Sequence, residues 1–161
     1  MKNKFRPDLF LFDVDGVLTD GKIYYGESGK LFKVFGADDH EALIEIGKYL
    51  EVRIVTADFR GYQITSRRVV DDMNLKLDLV SADERPNWVK SQFSDRKVVY
   101  MGDGIKDWRV FIEVGYGIAP ANAHSKTLSK ADFVTGRRGA EGAVAEACEH
   151  VLSKFFLEWP T

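Results

Sequence analysis

The run Asp8-Leu-Phe-Leu-Phe-Asp13 constrains the fold of this chain more than any other segment. It is apolar at every interior position, too short for a helix, and closed by an acid and then a turn containing Gly16. Such a strand is buried on both faces, as at the centre of a parallel sheet, and ligands of such sheets sit at the carboxyl ends of the strands. Parallel neighbours need helical crossovers, and the rest of the sequence supplies them. Lys22-Ile-Tyr-Tyr25 and Lys30-Leu-Phe-Lys-Val-Phe35 flank Gly26-Glu-Ser-Gly29, which predicts a hairpin over about residues 22–35. From Asp39, read as an Asx cap, Leu43, Ile46 and Leu50 recur at helical spacing, and Val52-Arg-Ile-Val55 follows as a strand ending at Thr56. Ile64, Val69 and Met73 predict a second helix, Leu75 to Val80 a strand, and Pro86 to Phe93 a third helix with proline in its favoured first turn. Lys97 to Met101 is the next strand. Helices at Trp108–Val114, Asn122–Lys130 and Gly142–Phe156 then alternate with strands at Tyr116–Ala119 and Phe133–Thr135. The fold class is α/β, a Rossmann-like parallel sheet flanked by helices with a β-hairpin insertion. At 161 residues, close to the ~150 typical of one domain, residues 1–161 are expected to form a single domain.

Composition narrows the partners. With 45% hydrophobic and 30% charged residues, the chain is neither collagenous nor disordered. The 23 basic and 25 acidic residues leave a net charge of −2, so neither nucleic acid nor an anionic membrane is an expected partner. No apolar run approaches the ~18 residues that span a bilayer. Met1-Lys2-Asn3-Lys4 lacks the apolar stretch of a secretion signal, and the lone Cys148 has no internal partner for a disulfide, so a reduced, cytoplasmic protein is expected.

Three predicted strands end in groups that carry chemistry: Asp13 and Asp15, Thr56, and Asp103 with Asp107. Any one of these acids alone reads as a loop residue or helix cap. Gathered at neighbouring strand ends, they would repel one another and raise each other's pKa, a conflict that a hard divalent cation removes. An all-oxygen donor set suits Mg²⁺, whereas Zn²⁺ would call for His or Cys. Two cations compete for the helix at residue 86. At ~100° per residue, Arg85 precedes Trp88 by about 300° and lies near the apolar face, while Lys90 lies about 200° from Trp88 on the outer side. Arg85 is favoured. His40, His124 and His150 read as surface or capping residues, and Cys148 as core.

The string Asp13-Val-Asp-Gly-Val-Leu-Thr-Asp-Gly21 resembles the first motif of the haloacid dehalogenase (HAD) superfamily, in the form found in the 3-deoxy-manno-octulosonate 8-phosphate phosphatase group. Thr56 resembles the second motif, a basic residue opening a helix the third, and Gly102-Asp103 with Asp107 the fourth. Gly139-Ala140, Ala143-Val144 and Glu146 resemble that group's C-terminal segment. The resemblance implies an HAD fold of the capless branch, in which the hairpin replaces a mobile lid domain. It implies a phosphatase with Asp13 as nucleophile, Asp15 as acid and base, and Mg²⁺ held by Asp13, the Asp15 backbone carbonyl and Asp103. Thr56, the backbone following it at Ala57, and Arg85 would bind the phosphate, with Asp107 in support. The implied substrate is a phosphorylated sugar acid, an octulosonate or nonulosonate phosphate.

The chain departs from that group at three places. Ala57-Asp58 stands for Gly-Arg, Asp38-Asp39-His40 for Arg-Asp-Gly, and Gly104 for an acid. These changes bear on specificity more than on hydrolysis, and Arg60, Arg137 or Arg138 are candidates for the missing cation. Two other classes compete. One is a non-catalytic assembly or regulatory module, like the domain fused to some sialic-acid cytidylyltransferases, against which intact Asp13 and Asp15 argue. The other is a phospho-receiver, whose acceptor lies on a middle strand rather than the first. The hairpin residues Ile23, Tyr24, Tyr25, Leu31, Phe32, Val34 and Phe35 and the apolar end Phe155-Phe-Leu-Glu-Trp-Pro-Thr161 lead us to expect a homotetramer, as the resemblance implies, with hairpins in contact and the tail affecting substrate handling.

Overall fold

A computed structural model describes residues 5–156 of the chain. Residues 157–161, the greater part of the apolar C-terminal tail, lie outside the described residues. Strand β1 (Leu9–Asp13) is buried along its whole length. After it the chain makes a hairpin of β2 (Tyr24–Gly26) and β3 (Gly29–Phe32). Then follow α1 (Asp38–Ile46), β4 (Glu51–Thr56), α2 (Tyr62–Ser66, continued by a wide turn over Arg67–Asp72) and β5 (Lys76–Leu79). The second half runs α3 (Arg85–Gln92), β6 (Val98–Met101), α4 (Trp108–Phe111), β7 (Tyr116–Ala119), α5 (Ser125–Leu128), β8 (Phe133–Val134) and α6 (Ala143–Phe155).

The sheet order is β5-β4-β1-β6-β7-β8, and every neighbouring pair is parallel. Strand β1 therefore lies between β4 and β6, with Asp13 opposite Val55 and Phe12 opposite both Ile54 and Met101. Alternation along β1 divides the core. Phe10 and Phe12 face a layer that includes Leu43 and Ile46 of α1 and Val144, Cys148 and Val151 of α6. Leu9 and Leu11 face Val89 of α3, Val110 and Phe111 of α4 and the ring of Tyr100. Both faces of the central strand are thus covered by helices, which is why its sequence is continuously apolar. The fold class, an α/β parallel sheet flanked by helices with a β-hairpin after the first strand, is as expected.

Local differences have physical causes. The expected Asx cap at α1 is absent: Ala37 occupies the cap position, and the Asp39 carboxylate is buried, where Oδ1 accepts from Ala145 N at 3.3 Å. Helices α4 and α5 are single turns, shorter than the apolar pattern suggests. Asn122, expected to open a helix, instead clamps two loops. His124 caps α5, its Nδ1 accepting from Lys126 N at 3.3 Å, and His150 stacks face to face on Phe133 at 3.7 Å between ring centroids. No helix among the described residues is long and apolar enough to cross a membrane.

Candidate active site

The site begins where β1 ends. Asp13 closes the strand, and its Oδ1 accepts from Val14 N at 2.9 Å. The chain then turns through Gly16 at φ +85°, and the turn is pinned by Thr19, whose Oγ1 accepts from Gly16 N at 3.1 Å and Gly21 N at 3.2 Å. Glycine is required at position 16 on two counts. Its positive φ strains any other residue, and a Cβ there would stand 1.9 Å from Asp103 Oδ2. Asn122 ties this turn to the loop before α6, donating to Gly16 O at 2.9 Å and accepting from Gly139 N at 2.7 Å.

Beyond β6, His124 N donates to Asp103 O at 2.8 Å and Gly104 N donates to Asp107 Oδ2 at 2.8 Å. The outcome is a trio, Asp13, Asp103 and Asp107, with one oxygen of each within 4.8 Å of the others. Burial, reinforced by the neighbouring carboxylates, pushes Asp103 up to about 8. Burial also raises Asp13 to about 6, against the pull of Arg85. Protonated, these acids would be poor ligands. The energetic conflict among three clustered, buried or partly buried carboxylates is what a divalent cation relieves, and an all-oxygen donor set matches a hard ion. The residues present fit such a group.

Arg85 meets the trio from the start of α3. Its side chain is buried, and Nη1 lies 3.1 Å from Asp13 Oδ1 and 3.4 Å from Asp107 Oδ1. The same Nη1 donates to Tyr100 Oη at 2.8 Å, and Tyr100 in turn donates to Asp107 Oδ1 at 2.8 Å. Although burial opposes the charge, these acids hold the Arg85 pKa above its ordinary value, so the guanidinium stays ionised. Lys90 instead points outward and pairs with Glu113 at 3.3 Å. The helical-wheel distinction between the two cations thus matches their positions.

Thr56 ends β4, fully buried, and its Oγ1 accepts from Asp58 N at 3.1 Å. That leaves the hydroxyl proton free to donate. A cavity of about 240 Å³ opens beside these groups, lined by Asp13, Ala57, Arg85, Gly104, Lys106 and Asp107 among others.

Asp15 stands apart from the trio. Its carboxylate turns to Lys33, with Nζ 3.0 Å from Oδ2, and burial raises its pKa although Lys33 pulls the other way. Sequence reasoning missed Lys33, Tyr100 and Asn122. A lysine in a β-rich hairpin reads as solvated, a tyrosine inside a strand reads as packing, and nothing local marks an asparagine that bridges distant loops. Asp58, where the resembling group has arginine, is met by Lys30 and by Lys33 at 2.8 Å. Burial alone would raise its pKa, but the two lysines bring it down to about 2. Arg60 and Arg138 are exposed, and Arg137 is engaged with the loop and start of α6 through Glu141 O and Glu146.

Comparison with known proteins adds three findings. The model of the haloacid dehalogenase-like hydrolase family matches residues 27–147. The 3-deoxy-D-manno-octulosonate 8-phosphate phosphatase of Salmonella typhi is 33% identical over 154 residues, covering 89% of this chain and 78% of that protein. Among solved structures, a probable YrbI family phosphatase from Pseudomonas syringae superposes with a TM-score of 0.83 at 30% identity, covering 92% of this chain and 86% of the other. The Moraxella catarrhalis 3-deoxy-D-manno-octulosonate 8-phosphate phosphatase, solved with a magnesium ion, a phosphate ion and a KDO molecule, gives 0.81 at 27% identity over 91% of this chain and 86% of that one.

Proposed function

Because this chain belongs to the haloacid dehalogenase-like hydrolases and is a phosphatase of that family, we propose that it hydrolyses phosphomonoesters through an aspartyl-phosphate on Asp13. The observation that carries this reading is the placement of Asp13 at the end of the central strand, against buried Arg85 and beside Asp103 and Asp107. In the first step an Asp13 carboxylate oxygen attacks phosphorus, the ester P–O bond breaks, and Asp15 gives its proton to the leaving alkoxide. In the second, Asp15 takes a proton from water as the water oxygen attacks phosphorus. The bond to Asp13 breaks, releasing inorganic phosphate and restoring both acids. Thr56 and the backbone at Ala57 would donate to phosphoryl oxygens, and Arg85 would offset their charge while holding Asp13 in place. Asp13, Asp103 and the Asp15 backbone carbonyl would hold Mg²⁺, with Asp107 supporting. The ion, when bound, neutralises charge on the phosphate and the acids around it.

For the substrate we infer a phosphorylated sugar acid, an octulosonate or nonulosonate phosphate, on the strength of the relatives' own substrates. Asp58 alters the wall of the site, so the alcohol half of the substrate is to be found by screening. For assembly we infer a homotetramer. Its support is the apolar outer face of the hairpin, where Tyr25 and Phe32 are 62% and 63% exposed. The receiver alternative lacks the family match, and the intact Asp13 and Asp15 and the phosphatase relatives speak against a non-catalytic assembly module.

The decisive experiment is Mg²⁺-dependent release of phosphate from p-nitrophenyl phosphate by wild type and Asp13→Asn. The amide keeps the shape of the side chain but does not attack phosphorus, so turnover should fall by several powers of ten while the fold and ligand binding persist. Retention of more than roughly a hundredth of the wild-type rate would remove the covalent route.

A further inference from the structure

Lys33 belongs to none of the motifs that define the site. It follows β3 directly, yet its side chain is 0% exposed. An ammonium is not buried cheaply unless each proton finds an acceptor. Here Nζ donates to Asp15 Oδ2 at 3.0 Å and to Thr65 Oγ1 at 3.0 Å, and it pairs with the Asp58 carboxylate at 2.8 Å from Oδ2. Asp58 has other donors, since Lys30 reaches its Oδ1 and Gly61 N donates to the same oxygen at 3.0 Å. Asp15 has no such reserve. Among the described residues, Lys33 is the one side chain that hydrogen-bonds its carboxylate. Removing the ammonium would therefore leave Asp58 paired and Asp15 free to rotate.

Resting on the phosphatase reading above, we propose that Lys33 is the positioning residue of Asp15. Its ammonium fixes the rotamer in which the carboxyl serves the leaving oxygen. The hairpin thus carries part of the catalytic apparatus, because the group that aims the proton donor is anchored in it. Thr65, fully buried on α2, completes the aim by accepting the ammonium's other hydrogen bond.

Leaving-group dependence separates this role from a structural one. A poor leaving group such as a sugar alkoxide needs the proton during bond cleavage, whereas p-nitrophenolate leaves almost unaided. In kcat/KM, which reports the first chemical step, Lys33→Met should lose roughly a hundredfold on the best sugar-acid phosphate and less than about threefold on p-nitrophenyl phosphate. Inhibition by orthovanadate should stay within about threefold of wild type, since phosphate recognition is untouched. Thr65→Val should show the same selectivity at roughly a tenth of the size, and it serves if Lys33→Met does not fold. Equal losses on both esters, or no loss on either, would overturn the proposal. If wild type hydrolyses neither ester, the functional reading itself fails. If wild type is active and only the ratio stays constant, the role of Lys33 fails alone.

Discussion

Replacing Asp39 by asparagine should stabilise this protein at neutral pH. Asp39 is 1% exposed, its Oδ1 has a single long bond from Ala145 N at 3.3 Å, and its Oδ2 is buried without a partner. Burial pushes its pKa from 3.8 to about 6, a hydrogen bond from Ala145 N being too little to hold it down and nearby Asp38 adding to the rise. The folded state therefore binds this proton more tightly than the unfolded state does. The stability that the proton contributes is complete below pH 3.8 and is lost as pH rises through about 6. Each tenfold difference in proton affinity is worth ~1.4 kcal/mol, so ionised Asp39 costs the fold about 3 kcal/mol above pH 7. Asparagine keeps the acceptor for Ala145 N and removes the charge. Its new N–H₂ has to find a partner in a tight corner, at a cost of ~1 kcal/mol, leaving a net gain of about 2 kcal/mol. For a chain of this length that is a rise in Tm of roughly 4–8 °C near pH 7.5, shrinking towards zero near pH 4. Thermal melts of both proteins followed by circular dichroism across that range provide the assay. The reasoning is refuted if Asp39→Asn is no more stable than wild type at pH 7.5, or if the gap does not close in acid.

Other expectations concern the site and assembly. Arg85→Ala should slow turnover and weaken phosphate inhibition at least about thirtyfold, and Lys90→Ala less than about threefold, in steady-state kinetics; the reverse order would transfer the role to Lys90. Gly16→Ala should raise the Mg²⁺ concentration for half-maximal activity at least about tenfold, because its Cβ displaces Asp103; an unchanged Mg²⁺ titration would contradict the close approach of that turn. Light scattering should find a tetramer at micromolar concentration, which a paired Tyr25→Ser and Phe32→Ser variant dissociates; a wild-type monomer would end the assembly proposal.

The parts of this molecule that were legible in the sequence are those written in local periodicity. The apolar run at β1, the acid closing it and the proline opening α3 each have a short-range cause, and strand-end placement then follows from parallel topology. Arg85 was separable from Lys90 because a helix imposes a fixed angle between residues. What stayed hidden depends on segments that meet only in the fold. Lys33 is buried because the hairpin docks on the loop at Asp58, an arrangement that hairpin composition does not encode. Asp39 looked like a cap because aspartate before an apolar helix usually is one, and only the packing of α1 on α6 turns it inward. Asn122 appeared to begin a helix, while its partners Gly16 and Gly139 are remote in sequence.

The position of β1 at the middle of the sheet also governs the order in which the chain is completed on the ribosome. Strand β1 emerges first, but β4 and β6, its two neighbours, arrive only with residues 51–56 and 98–101. Until then the most apolar strand of the protein presents bare edges, the surface that recruits chaperones or pairs with another nascent chain. The Asn122 clamp closes later still, when Gly139 arrives to be held beside Gly16. The proposed site is therefore completed only once most of the polypeptide has been made, and a prematurely terminated chain carries Asp13 without the framework that surrounds it.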